Sequence, residues 1–266
     1  EDADILYLQG GCFDPRSELD ISPFDEILNI HWPVLEDIAT YIMSNKDRQA
    51  PNLLDHEMFS GCAVEGTKRV LVIGASGQVG GALVEAFGSH NVIGTYSNST
   101  RVGMVHFDLK TAAKDPQYVK NLMTLCRPEI VCICAGRTWV DGCENEGDLP
   151  FLVNRDGPRM VARYARACGA RTVFYSTDYV FDGKSKGHFY AESDEVGPVN
   201  VYGTSKLAGE LAVMEEDPAA LVMRTSGVYG PELQGKNFVY QLCRSLKQGN
   251  KLDCATDAFG CPTYSR

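Results

Sequence analysis

No stretch of the sequence approaches the roughly 18 consecutive apolar residues of a membrane-spanning helix, so it holds no candidate for a helical span. Its ten cysteines form no C-x-x-C pair and no Cys/His cluster, which leaves no metal-ligand pattern. The closest two, Cys132 and Cys134, lie along an apolar strand where they do not easily bridge each other. Buried thiols in a reducing cytoplasm are therefore expected, rather than disulfides. Basic residues are in deficit: Lys and Arg number 25 against 35 Asp and Glu, a formal net charge of −10. With no basic stripe to offset that charge, nucleic acid and anionic membrane surfaces are not expected partners. There is no initiating Met, and the opening EDAD is acidic with no apolar segment behind it, unlike a signal peptide. The closing CPTYSR lacks a helix end or polar tail, so the chain reads as a piece of something longer.

What is present suits a globular protein. The 266 residues are 44% hydrophobic and 23% charged, enough for one large domain or two smaller ones with a buried core. Residues 1–67 read as an N-terminal extension or the tail of an upstream domain. ILYLQGG is a short strand running into a turn. From His31, Trp32, Leu35, Ile38 and Ile42 recur at helical spacing, with Pro33 in the first turn. A polar segment broken by Pro51 and Gly61 then reads as a linker. His31 and His56 belong to no motif with a mechanism and are expected at the surface or at caps.

The texture changes at Lys68. KRVLVIGASGQVGGALVEAFG is a buried strand, a glycine-rich turn and a helix. NVIGTY and MVHFDL are further strands, and a helix follows from about Asp115 to Cys126. EIVCICAG is a strand apolar enough to be buried on both faces. LPFLVNRDGPRMVARYARACGA is one long helix and RTVFYSTD another strand. A helix to about Glu215 and the strand in AALVMRTSGVYG complete the pattern. Strands alternating with helices of this length imply an α/β fold, a doubly wound parallel sheet with helices on both faces.

Two stretches carry chemistry. In GASGQVG, Gly74 permits a tight turn, Gly77 lets backbone approach a pyrophosphate, and Gly80 allows close helix–strand packing. Ser76, Gln78 and Val79 fill the same turn, whose helix N-terminus offers N–H groups and a positive dipole end to phosphates. The second strand ends in GTYSNSTR, without the acid that commonly holds a ribose 2′-hydroxyl. Ser97, Asn98, Ser99 and Arg101 there suit a 2′-phosphate, so NADP(H) is favoured over NAD(H). Asp108, followed by Leu109, reads either as an acceptor for an adenine amino group or as a helix cap. Cys134, Ala135 and Gly136 leave room for a cofactor at a strand end.

The second stretch runs from Ser176 to Lys206. Tyr202 and Lys206, four residues apart, share one helix face. The spacing predicts that the Lys206 ammonium lowers the Tyr202 pKa, readying it for proton transfer to a carbonyl oxygen. Thr177, ending a strand, is expected to donate a second hydrogen bond to that oxygen.

With GASGQVG, Asp108, CAG, STDYVFDG and YGTSK in this order, the chain resembles the extended short-chain dehydrogenase/reductases. More narrowly, it is similar to the dTDP-4-dehydrorhamnose reductase family. RTWVDGCE (137–144), VNRDG (153–157), PVNVYGTSKLAGE (198–210), MRTSGVYG (223–230), GKNFV (235–239) and DAFGCPTY (257–264) extend the match from Lys68 to the C-terminus. The resemblance implies a Rossmann domain from 68 to 266 whose C-terminal substrate lobe is cut short. It implies Thr177, Tyr202 and Lys206 as catalytic residues, with Tyr202 giving a proton to the C4 carbonyl of a nucleotide-linked 4-keto-6-deoxyhexose. Lys206 would also bind the nicotinamide ribose, and Arg137, Thr138 and Tyr179 would line the sugar pocket. A homodimer is compatible with this reading, and no metal is implied. Two positions depart from the family pattern: Gly227 stands where a Trp is common, and Ala258 where a Gln is. The alternatives are an NADP-binding regulatory subunit like that of methionine adenosyltransferase, and a sugar-nucleotide epimerase or dehydratase.

Overall fold

Four-residue apolar strands need cover on both faces, and the first strand, β1 (Val70–Ile73), is buried at every position. Alternation divides it: Leu71 and Ile73 join one apolar cluster with Val131, Ile133 and Phe174, while Val70 and Val72 join another with Ala75 and Cys132. The computed structural model describes residues 68–88, 91–98, 101–184, 190–231, 235, 237–250, 260 and 262–265. The N-terminal strand, helix and linker expected from the sequence lie outside these residues, as do Ser99 and Ala258.

The remaining strands are β2 (Val92–Tyr96), β3 (Val105–His106), β4 (Ile130–Ile133), β5 (Arg171–Thr177) and β6 (Leu221–Thr225). All neighbours pair in parallel, in the order β3-β2-β1-β4-β5-β6. This is the doubly wound arrangement, and its order reverses between β1 and β4, where a crevice opens beyond the strands' C-terminal ends. The helices are α1 (Gln78–Phe87), α2 (Leu109–Ala112), α3 (Pro116–Cys126), α4 (Val140–Cys143), α5 (Leu149–Phe151), α6 (Gly157–Ala167), α7 (Val201–Glu216) and α8 (Phe238–Lys247). Val119, Leu122 and Met123 of α3, Val161, Ala162 and Ala165 of α6 and Val213 of α7 cover one sheet face. Leu83 and Val84 of α1 cover the other.

The long helix expected over residues 149–170 is interrupted. Between α5 and α6 the chain takes a π-helical turn, Leu152–Asp156. The wider turn carries Asn154, which has no exposed surface. Such bulges recur at functional sites because they redirect one side chain without ending the helix. Where α7 crosses it the fit is close: a Cβ on Gly209 would lie 2.1 Å from the Asn154 carbonyl oxygen. Among the described residues, no helix is long and apolar enough to cross a membrane.

Candidate active site

The turn after β1 is shaped by what its glycines exclude. Gly74 has φ +88°, and a Cβ there would meet the Ala135 backbone nitrogen at 2.7 Å. A Cβ on Gly80 would meet the Gly74 carbonyl oxygen at 2.3 Å, so α1 lies directly on the turn. Gly77 has only the Gly74 oxygen, at 3.3 Å, near its Cβ position. Thr95, fully buried on β2, pins the turn by accepting a hydrogen bond from the Gly74 N–H at 3.2 Å. Gln78 Nε2 donates to the Gly230 carbonyl at 3.2 Å, and Ser76 and Val79 are half-buried beside it.

The start of α1 differs from those of α3, α7 and α8. Asp115, Asn200 and Asn237 cap α3, α7 and α8 with their side chains. The α1 N-terminus has no side-chain cap and no acid in its first turn. An uncapped, acid-free helix start behind a glycine cradle fits a pyrophosphate. On the β4 side, the Cys134 and Ala135 N–H groups both donate to the Ile73 carbonyl at 2.9 Å, and Gly136 follows. Ser97 and Arg101 are half-buried beyond β2, and Asn98 is exposed.

Asp108 caps α2. Its Oδ1 accepts from the Lys110 N–H at 3.0 Å, and its Oδ2 pairs with Lys110 Nζ at 3.3 Å. Leu109 turns inward and packs in the core.

Thr177, Tyr202 and Lys206 do come together at the end of β5. Asn200 Oδ1 accepts from the Gly203 N–H at 2.7 Å and starts α7. Gly203 then lets α7 lie on the 3-10 turn Asp178–Val180, since a Cβ there would sit 2.2 Å from the Tyr179 oxygen. Tyr202 lies beside Thr177, and the half-exposed Tyr179 ring meets it edge-on at 5.6 Å and 71°. Lys206 is buried; its Nζ donates to the Tyr175 carbonyl at 2.5 Å and lies 4.2 Å from the Phe174 ring centroid.

This geometry overturns the expected electrostatics. Burial pushes the Tyr202 phenol up to about 12; the neighbouring Thr177 opposes this and the Asp178 charge adds to it. Burial likewise draws Lys206 down to about 8, with Glu210 opposing. Helical spacing brings Tyr202 and Lys206 to one face, but the ammonium is turned to the β5 backbone. Desolvation, which disfavours each charged form, then dominates.

The expected sugar-pocket residues divide. Arg137 is held by Glu146, with Nε 2.6 Å from Oε2 and a second contact from Nη2 to Oε1. Its guanidinium also lies 5.5 Å from the Trp139 ring centroid. Thr138 is exposed. Sequence reasoning missed Asn154, which accepts from the Arg137 N–H at 2.7 Å and donates to the Arg137 carbonyl at 3.0 Å and Ser205 Oγ at 2.9 Å. It missed Thr95 too, marked only as a polar residue in the apolar strand β2; Asn154, in a helical segment beside Arg155 and Asp156, carried no such mark. Deeper in α7, buried Glu210 forms a two-pronged pair with Arg224 of β6, at 3.0 and 2.7 Å.

A doubly wound sheet with a glycine cradle at its switch point and a Thr–Tyr–Lys cluster beside it defines the extended short-chain dehydrogenase/reductase class. Within that class, the chain belongs to the family described as the RmlD substrate binding domain, which matches residues 68–266. A dTDP-4-dehydrorhamnose reductase of Sinorhizobium fredii is 38% identical over 162 residues, 61% of this chain and 52% of that protein. One from Escherichia coli is 35% identical over 195 residues, 73% of this chain and 62% of that one. The crystal structure of dTDP-4-dehydrorhamnose reductase from Bacillus anthracis in complex with NADP is 34% identical, with a TM-score of 0.64 over 75% of this chain and 66% of that one. The chain thus spans between about half and two thirds of the length of these relatives.

Proposed function

We propose that this chain carries the cofactor-binding and catalytic part of an NADPH-dependent reductase acting on the 4-keto group of a nucleotide-linked 6-deoxyhexose. The observation that carries the reading is the cluster of Thr177, Tyr202 and Lys206 at the same C-terminal end of the sheet as the glycine cradle. The named reductase relatives, one of them in complex with NADP, support it.

The cradle of Gly74, Ser76, Gly77, Gln78, Val79 and Gly80 receives the pyrophosphate at the α1 N-terminus. Ser97, Asn98 and Arg101 face the 2′-phosphate where other dinucleotide sites place an acid. Cys134, Ala135 and Gly136 give the nicotinamide end room, and Lys206 holds its ribose. When bound, NADPH supplies the hydride. Tyr202 supplies the proton to the C4 oxygen; a phenol held up to about 12 keeps that proton throughout the neutral range. Tyr179 stands beside Tyr202 as one wall of the sugar pocket, with Thr138 at its rim. Arg137 reaches the sugar only by leaving Glu146.

The test is to mix the chain with NADPH and dTDP-4-dehydrorhamnose and follow loss of the reduced-nicotinamide absorbance. Turnover in the wild type, lost in Tyr202→Phe, supports the reading. Binding of NADPH without turnover by this chain or one extended to the relatives' length would refute it. NADPH is expected to bind more tightly than NADH, and equal affinities would discard the 2′-phosphate assignment.

A further inference from the structure

Trp139 is 60% exposed, an unusual setting for a tryptophan. Its ring is held in place all the same. It rests against Gly142, where a Cβ would come within 2.4 Å of the ring, so glycine alone admits the indole there. The Arg137 guanidinium stands 5.5 Å from the ring centroid and is itself gripped by both carboxylate oxygens of Glu146. The segment that carries Trp139 is tied to the Tyr202 and Lys206 cluster at three points. A Cβ on Gly136 would lie 4.0 Å from Lys206 Nζ, and Trp139 follows three residues on, within about 11 Å along the chain. The Arg137 N–H and carbonyl both bond Asn154, which in turn bonds Ser205 of α7. Trp139 starts α4, its carbonyl accepting from the Cys143 N–H at 3.0 Å. Beyond α4, Glu144 Oε1 accepts at 2.8 Å from the N–H of Val201, the residue before Tyr202.

We propose that Trp139 is a substrate-contacting residue that selects the sugar, its exposed ring packing against the C–H face and the 6-methyl group of the hexose. This rests on the reading of the chain as a reductase of a nucleotide-linked 6-deoxyhexose. The faces of an aromatic ring carry negative charge, which suits the weakly positive C–H bonds of a sugar ring. The 6-deoxy carbon adds a methyl group that gains by leaving water, whereas a 6-hydroxyl in its place would lose its hydration against the indole. Arg137, with its charge taken up by Glu146, braces the ring. The sugar contact that the sequence suggests for Arg137 thus passes to Trp139, two residues on.

The sequence has 2 tryptophans, Trp32 and Trp139, so Trp32→Phe in the full chain makes Trp139 the sole tryptophan reporter. That protein, loaded with NADP⁺, is titrated with dTDP-rhamnose, the reduced product, and separately with dTDP, while calorimetry records the binding of each. dTDP-rhamnose is expected to shift the Trp139 emission to the blue as the ring leaves water, and dTDP to leave it in place. Binding of dTDP-rhamnose without a shift would overturn the proposal. So would an equal shift with dTDP, which would place the ring on the nucleotide. NADPH oxidation by dTDP-4-dehydrorhamnose is then compared in chains that keep Trp32. Trp139→Ala is expected to raise KM for the sugar nucleotide about tenfold with kcat within about twofold. Trp139→Phe should recover most of that loss, and NADPH affinity should be the same in all three proteins. An unchanged KM in Trp139→Ala would also overturn the proposal. Failure of the reductase reading is seen separately, as a wild type that neither binds dTDP-rhamnose nor reduces dTDP-4-dehydrorhamnose, and it would discard the sugar contact with it.

Discussion

Replacing Asn154 with alanine tests whether the π-helical turn exists to hold the site. Asn154 is fully buried and makes three hydrogen bonds, two to the Arg137 backbone after β4 and one to Ser205 on α7. Ser205 Oγ in turn donates to the Tyr202 carbonyl at 2.7 Å. The amide therefore ties the β4 loop to the turn of α7 that carries the candidate acid. Each bond contributes about 1 kcal/mol net, and each buried group left unpaired costs about 1–3 kcal/mol. Asn154→Ala should thus destabilise the fold by about 3–5 kcal/mol. With a urea slope of about 2 kcal/mol/M, the unfolding midpoint should fall by about 2 M. Ser205→Ala removes two bonds, the one accepted from Asn154 and the one donated to the Tyr202 carbonyl, and should cost about 1–2 kcal/mol. The measurement is urea unfolding followed by circular dichroism, paired with NADPH titration. NADPH affinity should fall as well, because a Cβ position on Gly136 is 3.0 Å from Asn154 Oδ1 and 4.0 Å from Lys206 Nζ, so Asn154 lies beside residues proposed to receive the cofactor. A midpoint within about 0.5 M of wild type, with NADPH affinity unchanged, would refute the reasoning.

Three further outcomes are expected. Gly80→Ala, whose new Cβ would meet the Gly74 oxygen at 2.3 Å, should cost about 1–3 kcal/mol of stability and weaken NADPH binding in a fluorescence titration. Lys206 has a folded-state pKa of about 8 against an ordinary 10.5, so the unfolded chain binds more protons between those values. The Lys206 contribution is therefore most unfavourable below pH 8 and is relieved as pH rises toward 10.5. The stability of wild type relative to Lys206→Met should accordingly improve by about 3 kcal/mol across that window in urea titrations without cofactor; a constant difference would disprove the burial argument. Glu210→Gln, which takes the buried charge partner from the partly exposed Arg224, should destabilise by about 1–3 kcal/mol, whereas Glu210→Leu with Arg224→Met should lose less in the same assay.

The sheet was legible because burial on both faces writes itself into composition. VLVI, VCIC and VFYST are too apolar and too short for surface helices, and the glycine turn and helix between the first two strands dictate a parallel crossover. The candidate site was legible where one residue type serves one geometric need: Gly74 at φ +88° and Gly80 against a carbonyl leave no alternative. The bend at Asn154 was not legible, since LPFLVNRDGPRMVARYARA keeps a helical apolar spacing through it. A π turn adds one residue without a local mark in the sequence, and what selects it here is tertiary: Gly209 and Ser205 of α7, some fifty residues on, close over Asn154.

The sign of the electrostatics was hidden for a related reason. Four-residue spacing correctly brings Tyr202 and Lys206 to one helix face, and on a solvated helix the charge of one would stabilise the opposite charge of the other. Which partner each side chain finds depends on what the helix packs against. Here α7 packs on β5, whose Tyr175 carbonyl takes the ammonium and whose last residue, Thr177, lies beside the phenol. The Thr177 hydroxyl itself donates to Asp178 Oδ1 at 3.2 Å, so the partner that spacing on one helix suggests gives way to the partner that packing supplies.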